Sequence, residues 1–210
     1  MTTLAPPATI AFIGLGMMGR PMAARLAEAG FKLRLYDLSQ KAVSDFIGAH
    51  PSALATASPK AAAQGADALI TMLPDGKVVR QAVIEGRDAA REGLAAGALV
   101  VDMSSSNPVD TQKLARDLAA SGVALLDAPV SGGVRRAIDG SLSIMVGGGA
   151  ADLERARPVF SAMGKTITLC GPAGAGHALK ALNNYLSAAG LVAMCEALVV
   201  GEAFGLDPGT

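Results

Sequence analysis

The chain has 210 residues, 51% of them hydrophobic, and 18 basic side chains balance 18 acidic ones to a formal net charge of zero. That length holds one sizeable domain and part of another, and the charge balance leaves no electrostatic footprint for nucleic acid. Aromatic residues make up 3% and tryptophan is absent, so base-stacking platforms are excluded.

Cys170 and Cys195 form no Cys-x-x-Cys pair and read as small apolar residues of a reducing compartment, so a cytoplasmic location is expected. Met1 to Ala8 lacks the basic start of a signal peptide. No apolar run reaches the ~18 residues of a membrane span. Ala188 to Val200 comes nearest, and Glu196 interrupts it. No membrane partner is expected.

Ile10 to Ile13 is a short apolar run that leads into Gly14-Leu15-Gly16-Met17-Met18-Gly19. Strand, Gly-x-Gly-x-x-Gly turn and helix (Met17 to Ala29) make the opening unit of a dinucleotide-binding fold. Gly14 permits the tight turn, Gly16 lets the backbone approach a pyrophosphate, and Gly19 lets helix and strand pack closely. The helix N-terminus offers free N–H groups and a partial positive charge to phosphates. A second strand, Lys32 to Tyr36, ends in Asp37. About twenty residues after the first glycine is where a carboxylate meets a ribose 2′-hydroxyl. Asp37 therefore favours NAD, and Arg34, Ser39 and Lys41 leave NADP possible.

Strands and helices then alternate. Helices are expected over Ser39–Gly48, from Pro59, over Lys77–Ile84, from Pro108 to about Ala120 with Asn107 as cap, and over Ala150–Met163. Strands are expected near Ala53–Thr56 and over Asp67–Met72, Ala98–Met103, Val123–Leu126, Leu142–Val146 and Ile167–Leu169. Such alternation implies an α/β fold of Rossmann type, a doubly wound and mostly parallel sheet with helices on both faces. Ligands bind such sheets outside the carboxyl ends of the strands. The unusual residues fall there: the glycine turn, Asp37, Leu73-Pro74, Ser104 to Ser106, and Ser131-Gly132-Gly133.

Gly174 to Gly205 has no proline and a helical rhythm. About thirty residues span ~45 Å, too long for one more crossover. A dinucleotide-binding domain over residues 1–170, followed by residues 171–210 as a long helix beginning a second, helical domain, is the organisation expected. The first turns carry His177, Lys180, Asn183 and Asn184, and Lys180 and Asn184 share a face. An adjacent asparagine pair inside a helix has poor propensity, which marks the place as functional. Leu191 to Leu206 is apolar on most sides and needs partners, either another chain, as in the homo-oligomer expected, or further helices of its own domain.

Four blocks of residues resemble the β-hydroxyacid dehydrogenase family, which includes 3-hydroxyisobutyrate dehydrogenase and tartronate semialdehyde reductase. They are Gly14 to Ala23, Met72-Leu73-Pro74 with Asp102 to Ser105, Asp127 to Gly133, and Gly174-Ala175-Gly176 followed by Lys180 and Asn183-Asn184. The resemblance implies Lys180 as the catalytic lysine and Asn184 as the asparagine that holds substrate and lysine. It implies Ser131, Gly132 and Gly133 as the substrate-carboxylate loop, with Gly14 to Gly19, Leu73, Pro74 and Ser105 at the cofactor. The reaction implied is hydride transfer between NAD(P) and a small 3-hydroxy acid, with no metal. A glycerate-forming semialdehyde reductase and a dinucleotide-binding protein without turnover are the alternatives. A 6-phosphogluconate dehydrogenase-like enzyme, with Arg135 and Arg136 reading a phosphate, ranks below them. Family members end in an all-helical domain, of which this chain holds the start.

Overall fold

The computed structural model describes residues 2–209. Its centre is a nine-stranded sheet. The strands are β1 (Thr9–Ile13), β2 (Lys32–Tyr36), β3 (Leu54–Ala55), β4 (Ala68–Thr71), β5 (Leu99–Asp102), β6 (Ala124–Asp127), β7 (Val130–Ser131), β8 (Leu142–Gly147) and β9 (Gly164–Gly171). The order is β3-β2-β1-β4-β5-β6-β8-β7, with β9 beside β8. The first six strands are parallel. Strand β8 runs antiparallel to β6 and β7 and parallel to β9. The fold class expected from the alternation of elements is the one observed.

The helices are α1 (Gly19–Glu28), α2 (Gln40–Ala49), α3 (Pro59–Ala63), α4 (Gly76–Arg80), α5 (Pro108–Ala119), α6 (Gly133–Ile138), α7 (Ala150–Met163) and α8 (Ala175–Ala203). The central strands β1, β4, β5 and β6 are buried on both faces, and their side chains alternate between two cores. Ile10, Phe12, Ile70, Leu99 and Val101 join Met22, Leu26, Phe46 and Phe160 on one face. Ala11, Ile13, Leu69 and Val100 join Val79, Val83, Leu114 and Leu118 on the other.

Three local differences from expectation have physical causes. Helix α1 starts at Gly19 because Gly14 to Met18 form the turn itself. The helix expected over Lys77–Ile84 ends as α4 at Arg80 and continues as one π turn, Gln81–Glu85, closed by the Gly86 amide on the Gln81 carbonyl at 2.8 Å. Strand β7 and helix α6 are too short to show a periodic pattern, and pairing with β8 defines the strand.

Helix α8 packs only its head on the sheet. Gly176 and His177 are its buried residues, and Leu182, Leu186, Val192, Val199 and Val200 are exposed. By length and mean hydropathy (1.6) it is long and apolar enough to cross a membrane, a property that length and composition alone confer. It carries Lys180, Glu196 and Glu202 along its exposed length.

Candidate functional site

The chain order of the strands reverses between β1 and β4, and the ends of those strands frame a cavity of about 740 Å³. Its wall includes Gly14, Gly16 to Gly19, Asp37, Leu73 and Pro74. The cofactor-side residues expected from the glycine turn, Asp37 and the β4 loop are thus brought together. Leu15 is buried below the turn and faces a second cleft, between α1, α2 and α6.

Each glycine of the turn does a distinct thing. Gly14 has φ +100°, and a Cβ there would lie 2.2 Å from the Met72 carbonyl oxygen. A Cβ on Gly19 would lie 1.9 Å from the Gly14 oxygen, so the start of the helix can approach the turn this closely only with glycine there. Gly16 has nothing within 4 Å of its missing Cβ. That open face is where a pyrophosphate can approach the backbone. No side chain caps α1; the Arg20 amide bonds the Gly16 carbonyl at 3.0 Å and Pro21 has no N–H, so the donors left for an anion are those of the glycine turn ahead of the helix. The residues present fit a dinucleotide.

Asp37 is held in place by the backbone. Its Oδ2 accepts the Leu15 amide and its Oδ1 the Ser39 amide, both at 2.7 Å. The carboxylate therefore stands at the end of β2, locked to the glycine turn, with unused lone pairs. Arg34 turns away and donates to the Ala61 and Ala62 carbonyls at 2.7 and 3.0 Å.

The remaining expected residues lie outside the wall of this cavity. Ser105 is exposed just beyond β5, whereas its neighbour Ser104 is buried. Ser131 ends β7, and Gly132 and Gly133 follow with φ of +129° and +66°. A Cβ on Gly132 would meet the Arg136 side chain at 2.4 Å, so the arginine stem packs against this loop. Lys180 is half-buried on the second turn of α8, and desolvation pushes its ammonium below its ordinary pKa. Asn184, one turn on, is exposed.

A buried polar network, missed by the sequence reading, connects these parts. Asp127, at the end of β6, accepts the Gly174 amide on Oδ1 at 2.7 Å and the His177 amide on Oδ2 at 2.8 Å. It caps α8 from a remote strand, because Gly174 has no side chain to do so. Asp102, at the end of β5, accepts the Thr71 hydroxyl and the Ser104 amide at 3.0 Å and the Ser106 hydroxyl at 2.8 Å. Ser104 Oγ accepts the Leu73 amide at 2.9 Å. His177 does not share the exposed cluster of Lys180. Its ring points inward, with Nε2 3.0 Å from the Ser104 carbonyl oxygen and Nδ1 2.8 Å from the Thr111 hydroxyl. The available signal was the helix head Gly174-Ala175-Gly176, which lacks a cap of its own and so demands an acceptor from elsewhere.

Comparison with known proteins agrees with this geometry. Residues 9–171 match the NAD-binding domain of 6-phosphogluconate dehydrogenase, and residues 174–210 match the NAD-binding domain of NADP-dependent 3-hydroxyisobutyrate dehydrogenase. The chain is 43% identical over 201 residues to 3-sulfolactaldehyde reductase of Escherichia coli, covering 95% of this chain and 66% of that protein. It is 44% identical over 198 residues to NAD-dependent L-serine dehydrogenase of Pseudomonas aeruginosa, covering 94% and 65%. It superposes on 3-hydroxyisobutyrate dehydrogenase of Mycobacterium tuberculosis, whose structure was solved with L-serine, with a TM-score of 0.88 and 40% identity over 99% of this chain and 68% of that one. The chain spans about two thirds of the length of the curated relatives it matches. The NAD-binding match over residues 9–171, the match of helix α8 and the relatives' identities place it: the chain belongs to the β-hydroxyacid dehydrogenase family.

Proposed function

We propose that this protein oxidises a short 3-hydroxy acid, or reduces the corresponding semialdehyde, with NAD as the preferred cofactor. The observation that carries the proposal is the Asp127 bridge. It ties the strand before the Ser131 loop to the head of the helix bearing Lys180, and the His177 ring at that head reaches Ser104, whose hydroxyl holds the Leu73 amide at the cavity wall. When bound, the nicotinamide would take the hydride from the carbinol carbon or return it.

The chain's own residues supply positioning and the proton. Lys180 Nζ takes the hydroxyl proton in oxidation and gives it back in reduction. Desolvation favours the free amine that the oxidising direction needs. The Ser131, Gly132 and Gly133 amides hold the substrate carboxylate, as consecutive backbone N–H groups hold anions elsewhere. Asn184, one turn after Lys180, orients the reacting groups. Leu73, Pro74 and Ser105 contact the cofactor, and Asp37 accepts from its ribose hydroxyls.

Residues 1–170 act in this reading as the dinucleotide-binding domain, and residues 171–210 begin the helical one. The exposed apolar faces of α8 support a homo-oligomer, and the free Cys170 and Cys195 support a reducing, cytoplasmic setting. Relatives named for 3-sulfolactaldehyde, L-serine and 3-hydroxyisobutyrate support a C3–C4 acid. Absorbance of NADH with a panel of 3-hydroxyisobutyrate, glycerate, L-serine and 2,3-dihydroxypropane-1-sulfonate, on the full-length protein, tests the proposal. Turnover of one acid that disappears in Lys180→Ala is expected. A protein that binds NADH yet oxidises none of them would be a binding protein instead.

A further inference from the structure

His177 is the one side chain of α8 that is fully buried among the described residues, since the other buried position is Gly176. Two buried side chains link the sheet side to the head of this helix: the Asp127 carboxylate, which holds the Gly174 and His177 amides, and the His177 ring, which alone reaches the Ser104 loop. A carbonyl oxygen only accepts, so Nε2 donates to Ser104. Nδ1 pairs with the hydroxyl of Thr111 on α5. The ring is therefore pinned on two sides, and the Asp102 and Asp127 carboxylates flank it at 3.8 and 3.7 Å.

Ser104 has a second partner, on the cofactor side. Its hydroxyl oxygen accepts the amide of Leu73, which lines the dinucleotide cavity. A continuous path results: Leu73 amide, Ser104 hydroxyl, Ser104 carbonyl, His177 ring, and then one turn of the α8 backbone to Lys180. The His177–Ser104 bond is buried, where a lost partner is costly and geometry is tightly held, and the Leu73–Ser104 bond is partly buried at the cavity edge.

We propose that His177 is a positioning residue that couples dinucleotide binding at the Leu73 and Ser104 loops to the setting of Lys180. The proposal rests on the reading of Lys180 given above. A dinucleotide that closes on Leu73 and Pro74 fixes the Leu73 amide, and with it the Ser104 loop and the His177 ring. The head of α8 then opens less often. A core histidine that merely fills space would hold the helix equally well with or without cofactor.

Hydrogen exchange on the full-length protein, with and without NADH, separates the two. Addition of NADH should slow exchange at Gly14–Gly19 and, through the coupling, slow it by about fivefold at residues 174–182. In His177→Leu the first effect should remain and the second disappear. Ser104→Ala breaks the path at its other end without touching the His177 acceptor, and should also lose the second effect. His177→Gln, whose side-chain amide can reach the Ser104 carbonyl, should recover much of it. Slowing at 174–182 that persists in both His177→Leu and Ser104→Ala overturns the proposal. So does a wild-type protein that responds at Gly14–Gly19 alone, or at neither place. Lys180→Ala in the same assay keeps the two readings apart. Turnover that survives this change sinks the assigned role of Lys180, whereas the exchange coupling is measured without turnover.

Discussion

Asp127 Oδ2 accepts the His177 amide at 2.8 Å, while Oδ1 of the same carboxylate accepts the Gly174 amide. One side chain on β6 thus does for α8 what a local Ser or Asp does for most helices. The surroundings leave no room for an alternative, since a Cβ on Gly147 or Gly176 would fall within 3 Å of Asp127. Asp127→Ala strands two buried amides and should cost about 3 kcal/mol in urea unfolding. Asp127→Asn keeps one acceptor oxygen and should cost roughly half of that. Unfolding curves for Asp127→Ala that overlay the wild type would show that the cap contributes nothing.

The three glycines of the turn should respond differently to alanine. Gly16 faces open space, so Gly16→Ala should leave the melting temperature unchanged and weaken NADH binding by at least about tenfold, or ~1.4 kcal/mol. Gly19→Ala drives a methyl into the Gly14 carbonyl and should lower stability by about 2 kcal/mol or more. Calorimetry and NADH fluorescence on the same two proteins check this. Equal losses of stability would mean that the turn is merely a structural corner.

Much of this architecture could be read from local pattern, because its causes are local. The apolar runs of β1, β4 and β5 are buried on both faces, as their lack of polar alternation required. Helix α7 occupies the expected Ala150–Met163. What escaped the sequence reading depends on partners far along the chain. Strand β9 starts at Gly164 rather than Ile167 because Leu142 pairs with it there. The π turn after α4 depends on the close approach of Gly86 to the Gln81 carbonyl, where a Cβ would lie at 2.5 Å. Polar residues at strand ends read naturally as loop chemistry. Nothing nearby in sequence says that Asp102, Ser104 and Asp127 are buried together, or that His177 turns inward while Lys180, three residues on, does not.

Asp37 should decide between the two dinucleotides. Its position is set by the Leu15 and Ser39 amides, so its negative charge cannot swing away from a 2′-phosphate. Arg34, on the strand that leads to Asp37, is occupied with the Ala61 and Ala62 carbonyls. We expect kcat/KM for NAD to exceed that for NADP, and Asp37→Ser to raise the NADP-to-NAD ratio by about tenfold or more, near 1.4 kcal/mol. Parallel steady-state assays measure it. A wild-type preference for NADP would remove Asp37 as the discriminating group.

Lys180 sets the expected pH dependence. Burial lowers its ammonium pKa from the ordinary 10.5. Oxidation of the alcohol needs the free amine as proton acceptor, so kcat in that direction should rise with pH through the depressed value and level off above it. Reduction needs the ammonium as donor, so it should be fastest below that value and decline through the same window. Lys180→Ala should cost about 10²- to 10⁴-fold in kcat and abolish the limb in both directions. Lys180→Arg keeps a positive charge but has no neutral form to accept a proton, so it should fail most severely in oxidation. The limb midpoint, read from kcat against pH at saturating substrate, is expected below 10.5. A limb that survives in Lys180→Ala would belong to another group and would take the proton transfer away from this lysine.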